Sequence, residues 1–377
     1  MFGELAIPLL SDLRFAKDLS FSAALRVSDY STVGRTTAWR YGLDWALNDT
    51  LRLRGTMSSA VRAPNIDELF GGQSENFFAI GSSDPCSAVN IKNGKDPAVR
   101  AANCAASGVP ANYTPVYSGT VRGLSGSNPN LTAETGRTWT VGFVFTPFPS
   151  FALNFDYWNI KLNDAISALS GLDVVERCVD SPLGINNEYC ANMTRDQDHL
   201  VSFIQSGNMN ISATETRGFD LGATFQHALG DGKIKVNVNA SHVFAYTDYP
   251  FQEDPDESID YNGTSGFPKW KATIGVGYTI GEWGFDWTTR LASEVLRVSN
   301  ESYNSNPTST TPIYAGAAIS HDLRASYTLR DSGWQFYGGI NNVFDNDAPV
   351  NYFGTGFGSA VYDTLGRRFY LGAKYRF

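Results

Sequence analysis

Apolar and polar residues alternate strictly over many short stretches of this chain. Gly366 to Phe377 reads GRRFYLGAKYRF, with Phe369, Leu371, Ala373, Tyr375 and Phe377 on one face and Arg368, Tyr370, Gly372, Lys374 and Arg376 on the other. Successive side chains of an extended strand point to opposite sides, so a period of two predicts β-structure. A strand that is apolar on one side and cationic on the other suits two different solvents. Alone, it fits either a wall between lipid and a wet lumen or a half-buried edge of a soluble sandwich.

The pattern recurs along the chain. Trp39, Tyr41, Leu43, Trp45 and Leu47 oppose Arg40, Gly42, Asp44 and Ala46; Asn48-Asp49-Thr50 turns the chain; Leu51, Leu53, Gly55 and Met57 return opposite Arg52, Arg54, Thr56 and Ser58. That is a hairpin. Trp139 to Phe145 and Phe151 to Tyr157 flank a Pro147-Pro149 turn, and Val201 to Leu229 reads as one long bulged strand ending at Gly230-Asp231-Gly232. Ile234 to Ala240, Trp270 to Tyr278, Trp283 to Leu291, Leu323 to Leu329 and Trp334 to Ile340 follow, with turns at Gly281-Glu282 and Asp331-Ser332-Gly333. The stretches 62–131 and 165–198 lack any period and read as loops.

Two regularities select between the readings. Charges stay off the apolar face, as expected where a Lys or Arg facing lipid costs roughly 2–4 kcal/mol. Short turns also alternate with long loops, the asymmetry of outer-membrane barrels, for which a soluble sandwich has no reason. The expected fold is an all-β, antiparallel transmembrane β-barrel of about thirteen strands, an odd number where single-chain bacterial barrels have an even one. The chain therefore reads as the C-terminal part of a longer barrel.

Composition narrows the classes. No apolar run reaches the roughly 18 residues of a membrane helix. Aromatics make up 13% of the chain and charged residues 18%, with a mean hydropathy of -0.22, as when polar lumen residues dilute lipid-facing ones. A net charge of -9 leaves no basic stripe for phosphates, so nucleic acid is not an expected partner. The N-terminal stretch MFGELAIPLLSDLRF lacks the pattern of a signal peptide. Cys86 with Cys104 and Cys178 with Cys190 form two short-range pairs inside polar loops, which suggests two disulfides and an oxidising compartment. The four histidines, His199, His227, His242 and His321, stand in no metal-ligand or nucleophile spacing, so neither metal nor cofactor is expected.

Several segments resemble the TonB-dependent receptor family of Gram-negative outer membranes. Arg62-Ala63-Pro64, after a strand and before a long loop, is similar to the family's Arg-Ala-Pro segment. Asn128-Pro129-Asn130-Leu131, with Glu134, resembles its Asn-Pro-x-Leu-x-x-Glu re-entry segment; Arg217-Gly218 sits in the Arg-Gly-hydrophobic-acidic strand, and Ile340-Asn341-Asn342-Val343-Phe344-Asp345 matches a penultimate-strand ending. The resemblance implies the last part of a 22-stranded barrel in the outer membrane, spanning 1–377, with the plug domain and TonB box elsewhere. It also implies contact with outer-membrane lipid and lipopolysaccharide, coupling to the TonB complex through the plug, and an assembly signal at Phe369, Tyr375 and Phe377 read by the barrel-assembly machinery.

The function expected is import of a scarce, bulky nutrient, either a metal chelate (siderophore) or an oligosaccharide, bound by loops on a rigid scaffold. Trp158, Tyr113, Tyr117 and the acidic group Asp254, Asp256 and Glu257 are candidate ligand contacts, set against plainer roles in an aromatic girdle or a solvated loop. A passive porin or adhesin is the alternative, with a partly cationic lumen lined by Arg40, Arg52, Arg54, Lys235, Lys271, Arg290 and Arg324. An outer-membrane hydrolase is the remaining class, without a Ser-His or Asp-His constellation in the sequence to carry it.

Overall fold

The computed structural model describes residues 1–308, 313–330, 332–349, 362 and 365–376. One antiparallel meander runs through it. The strands Phe2–Leu13, Ala16–Tyr30, Gly34–Ala46, Leu51–Arg62, Glu134–Phe148, Phe151–Ala168, Asn208–Leu229, Gly232–Tyr249, Trp270–Ile280, Trp283–Ala292, Ala318–Thr328, Trp334–Asn341 and Arg368–Tyr375 each pair with the next. Among the described residues no ladder joins the first strand to the last, so the sheet is open.

Turn chemistry sets the connections at one end. Asn48 Oδ1 accepts from the Thr50 and Leu51 amides, while Gly230 and Gly281 take φ of +58° and +54°, where a side chain would be strained. The turn residue Asp331 and the terminal Phe377 lie outside the described residues.

The sheet is inside-out relative to a soluble one. Leu43, Val141 and Leu371 on its apolar face are 46%, 56% and 92% exposed, an apolar surface that only lipid would cover. Aromatic pairs sit near both ends of this face: Trp283 with Tyr327 and Trp334 with Tyr375 at the turn end, Trp139 with Tyr157 and Trp270 with His242 toward the loop end. This is the two-girdle arrangement of a membrane barrel. The other face is polar, and its expected cationic character is largely cancelled. Arg52 pairs with Asp44 at 2.9 Å, Arg54 Nε with Asp156 at 2.8 Å, Arg290 with Asp322, and Arg324 with Asp286 at 4.0 Å.

Two sequence expectations are corrected. Val201–Leu229 is not one strand: Val201–Gln205 leaves the wall to join a small loop sheet, and only Asn208–Leu229 belongs to the barrel. The bulge expected there does exist, between Arg217 and Gly218. A Cβ on Gly218 would lie 2.2 Å from the His242 carbonyl oxygen, so the close approach admits only glycine.

The second correction concerns the aperiodic loops, which are folded. Gln73–Phe78, Val121–Gly126, Val201–Gln205 and Met193–Arg195 form a four-stranded sheet drawn from both long loops. Helix Pro97–Ala106 is capped by Asp96, and helix Gly171–Asp180 by a Ser170–Asp173 capping box. Ile80, Val121, Val174, Val175, Val179, Val201, Ile204 and Phe251 pack into one buried cluster beneath them. Disulfides Cys86–Cys104 and Cys178–Cys190 staple it. This cap contains most of the apolar core of the molecule, and its contacts are too long-range for any local period to announce.

Candidate ligand-binding face

The wall hands the chain to the cap at a polar knot. Arg62, the last residue of its strand, donates to both oxygens of Glu134, the first residue of the next, at 2.5 and 2.6 Å, and also reaches Glu68 at 3.1 Å. Glu68 closes a capping box with Asn65, which starts helix Ile66–Phe70. Asn128 donates to the Asn208 carbonyl at 2.9 Å, Glu134 accepts from the Ile166 amide at 2.8 Å, and Leu131 is buried. Arg62, Asn128, Leu131 and Glu134, singled out as motif residues, thus come together and pin both ends of the loop. Pro64 is buried beside them, with Ala63 half-buried and Pro129 at the turn. Their role here is to anchor the loop.

The centre of the cap is an ion pair that sequence reading missed. Arg195 spans both oxygens of Asp84 at 2.8 and 2.9 Å, and the two side chains are 7% and 0% exposed. Tyr117 donates to Asp84 at 2.8 Å and accepts from the Val201 amide at 3.0 Å, and the Cys86 amide donates to Asp84 at 3.0 Å. Burial works to raise the Asp84 carboxyl, but the Arg195 hydrogen bonds and charge, with those of Tyr117 and Cys86, outweigh it and hold it below the usual carboxylate range. Burial, helped by the Asp84 charge, pushes the Tyr113 hydroxyl up to about 12. Two basic residues, Arg177 and Arg195, in the otherwise acidic, cysteine-bearing loop 165–198 were the one signal available.

Ion pairs also cross between loops. Arg100 clasps Asp180 through two bonds of 2.5 Å. Arg177 reaches Asp254 at 3.1 Å and also pairs with Glu257, while its guanidinium lies 3.7 Å over the Phe251 ring. Lys95 pairs with Asp254 and, at 3.2 Å, with Asp256. The acidic group weighed as a ligand contact or a solvated loop forms a clasp joining three loops. Tyr113 is buried and Tyr117 is a structural hydrogen-bonding group, so neither is a girdle residue. Trp158 lies on the polar face, its ring against the Gly218 backbone, and not in the lipid belt.

The polar face of the wall holds two adjoining cavities. A larger one of about 570 Å³ is bordered by Asn239, Lys271, Arg290, Asp322, Asn342 and Tyr362. A smaller one of about 250 Å³ lies under the loop after Tyr249, between Tyr246, Asn262, Phe267 and Lys271. Asn342 adopts a left-handed φ of +52° and exchanges hydrogen bonds with Asn346, while its amide donates to Asp322 at 2.9 Å. Asparagine tolerates this conformation, which explains the residue that follows the strand at 342. Phe369 and Tyr375 lie on the exposed outer face of the last strand. Among the described residues no group of His, Cys, Asp and Glu is placed to hold a metal ion.

An open antiparallel wall with a lipid-type exterior, a polar ion-paired interior and a folded cap at the end away from the short turns defines an outer-membrane β-barrel receptor. Residues 2–343 match the model of the TonB dependent receptor-like β-barrel, and the chain belongs to that family. Its place is the outer membrane. No curated protein matches it in sequence. Among solved structures, it resembles the ferric enterobactin receptor PfeA of Pseudomonas aeruginosa with a TM-score of 0.61 at 16% identity, covering 94% of this chain and 42% of that one. The siderophore receptor PirA of Acinetobacter baumannii gives 0.61 at 16%, covering 95% and 43%, and the outer-membrane transporter YddB of Escherichia coli gives 0.56 at 13%, covering 97% and 44%. The chain thus spans less than half the length of these proteins, and the likeness is one of fold.

Proposed function

We propose that this chain supplies wall and outer loops to a TonB-dependent transporter that imports a scarce, bulky nutrient, either a siderophore-type metal chelate or an oligosaccharide. The observation that carries the reading is the cap: a disulfide-stapled, cored body at the mouth of a polar lumen, in a chain of this receptor family. Recognition is assigned to loops held on a rigid scaffold. The siderophore option takes support from the names of PfeA and PirA.

Energy enters from the TonB complex through a plug domain contributed outside these residues, and no catalytic step is assigned to the chain. Outer-membrane lipid and lipopolysaccharide surround the wall, and Phe369, Tyr375 and Phe377 form the signal read by the barrel-assembly machinery. Uptake of labelled ferric siderophores and labelled oligosaccharides, by cells carrying the full-length receptor with and without TonB, tests the reading. TonB-dependent accumulation of one class is expected. A stable open pore in planar bilayers, with TonB-independent flux, would favour a passive porin instead.

A further inference from the structure

We propose that the outer face of the wall carries, just beyond its aromatic girdle at the loop end, a site for the phosphate groups of an outer-leaflet lipid, formed by Arg137, Lys161 and Arg217. This gives a place to the lipid contact in the reading above and rests on the wall lying in the outer membrane. Ladder registers put the three side chains on one face. Val141 pairs with Tyr157, and Tyr157 with Phe219; two residues toward the loops, Trp139 pairs with Asn159 and Asn159 with Arg217; two further on, Arg137 pairs with Lys161. Residues two apart along a strand share a face, so this patch continues the lipid-facing surface.

Along that surface the chemistry changes in order. Val141, Phe143, Leu153 and Phe155 belong to the apolar band, and Trp139 and Tyr157 form an aromatic pair with ring centroids 5.0 Å apart. The cations follow on the loop side, Arg137 about 7 Å along its strand from Trp139. Girdle aromatics sit at the headgroup level, so a cation one step beyond them meets headgroups and not hydrocarbon.

The cations are exposed, and none of them has an ion pair or a side-chain hydrogen bond among the described residues. Arg137 stands directly opposite Lys161, which sets like charges on Cβ atoms about 5 Å apart and destabilises the pair. Arg217 lies on the diagonal from Lys161. Glu215 shares the patch and faces Lys161 across the ladder without an ion pair, accepting from Asn159 at 3.5 Å, so three cations stand with one carboxylate. Arg35, also outward at the loop end, shows the alternative arrangement, because Asp29 is directly opposite it. An anion lodged between Arg137 and Lys161 removes their repulsion, and a guanidinium fork matches the oxygens of a phosphate. Arg217, a motif residue beside the glycine of the bulge, thereby gains a role of its own.

The test uses purified full-length receptor in detergent, stripped of lipopolysaccharide, with adducts read by native mass spectrometry. The probes are synthetic bis-phosphorylated lipid A, the same lipid A without its phosphates, and inorganic phosphate as competitor. Bis-phosphorylated lipid A should bind, and the dephosphorylated form should bind more weakly by about tenfold or more. Inorganic phosphate at the same concentration should not displace it. The double variant Arg137→Gln, Lys161→Gln should weaken binding by about tenfold or more and Arg217→Gln by a smaller factor, with Arg35→Gln unchanged. All these positions are exposed, so heat-modifiable barrel migration should persist, which checks folding. Equal binding of the two lipid A forms, displacement by inorganic phosphate, or unchanged binding in the double variant overturns the site. No transport is read, so the importer reading stands or falls separately on its uptake assay.

Discussion

The wall and the cap obey opposite rules within one chain. In the wall, apolar side chains face outward and stay exposed, as Val141 and Leu371 do, while charges pair across the inner face. In the cap, Val174, Val175, Val179 and Ile204 are fully buried and ion pairs clasp the loops around them. The difference shows that the two regions fold against different solvents. The wall satisfies its backbone through continuous ladders and leaves its apolar surface to lipid. The cap buries its apolar surface against itself, as a water-soluble domain does.

That contrast can be broken region by region. Arg195→Ala leaves Asp84 charged and buried without its partner, a change that costs about 3–5 kcal/mol. Proteolytic sensitivity should appear within the cap segments 73–126 and 171–205, and not in the wall strands between them, while the barrel keeps its heat-modifiable migration; loss of both together would deny that the cap is a separate body. The converse substitution, Val141→Arg at mid-wall, should cost about 2–4 kcal/mol of barrel stability. Denaturant unfolding from lipid vesicles would show it, with cap proteolysis unchanged in the folded fraction.

Acid gives a smaller, graded effect. Because Asp84 titrates lower in the folded cap than in an unfolded chain, its contribution is present above about pH 4 and fades as pH falls through the folded value. Hydrogen exchange at Val121–Gly126 and Val201–Gln205 should therefore rise in acid before the wall ladders open. The smallest effect is expected from Glu75→Gln, which breaks the exposed pair with Arg122 for roughly 0–1 kcal/mol, a shift at the limit of a thermal melt.

Most of the wall was legible in the sequence because its information is local. Alternation at Trp39 to Leu47 or Trp334 to Ile340 fixes both strand and face, and Asn48, Gly230 and Gly281 mark the turns. Val201–Gln205 defeated this reading because its alternation is as good as a wall strand's, and its pairing with Val121–Gly126 and Met193–Arg195 is what assigns it to the cap. The cap was largely illegible. Asp84 and Arg195 meet across 111 residues, and Arg62 meets Glu134 across 72, distances at which no period survives. The cysteines alone hinted that those loops were ordered. Motif residues such as Arg62 and Gly218 were visible, but their physical reasons, a loop anchor and a close backbone approach, came only with the geometry.

The central claim, two solvents for one chain, is tested most directly by spin labels placed singly at 139–145 and 172–179 in the receptor reconstituted in lipid. Collision rates with oxygen and with a water-soluble nickel reagent are read at each site. Oxygen access should peak at 139, 141, 143 and 145 and fall at the residues between, with sites 174, 175 and 179 closed to both reagents. Nickel access at 141 and 143, or no alternation along that strand, would contradict the account.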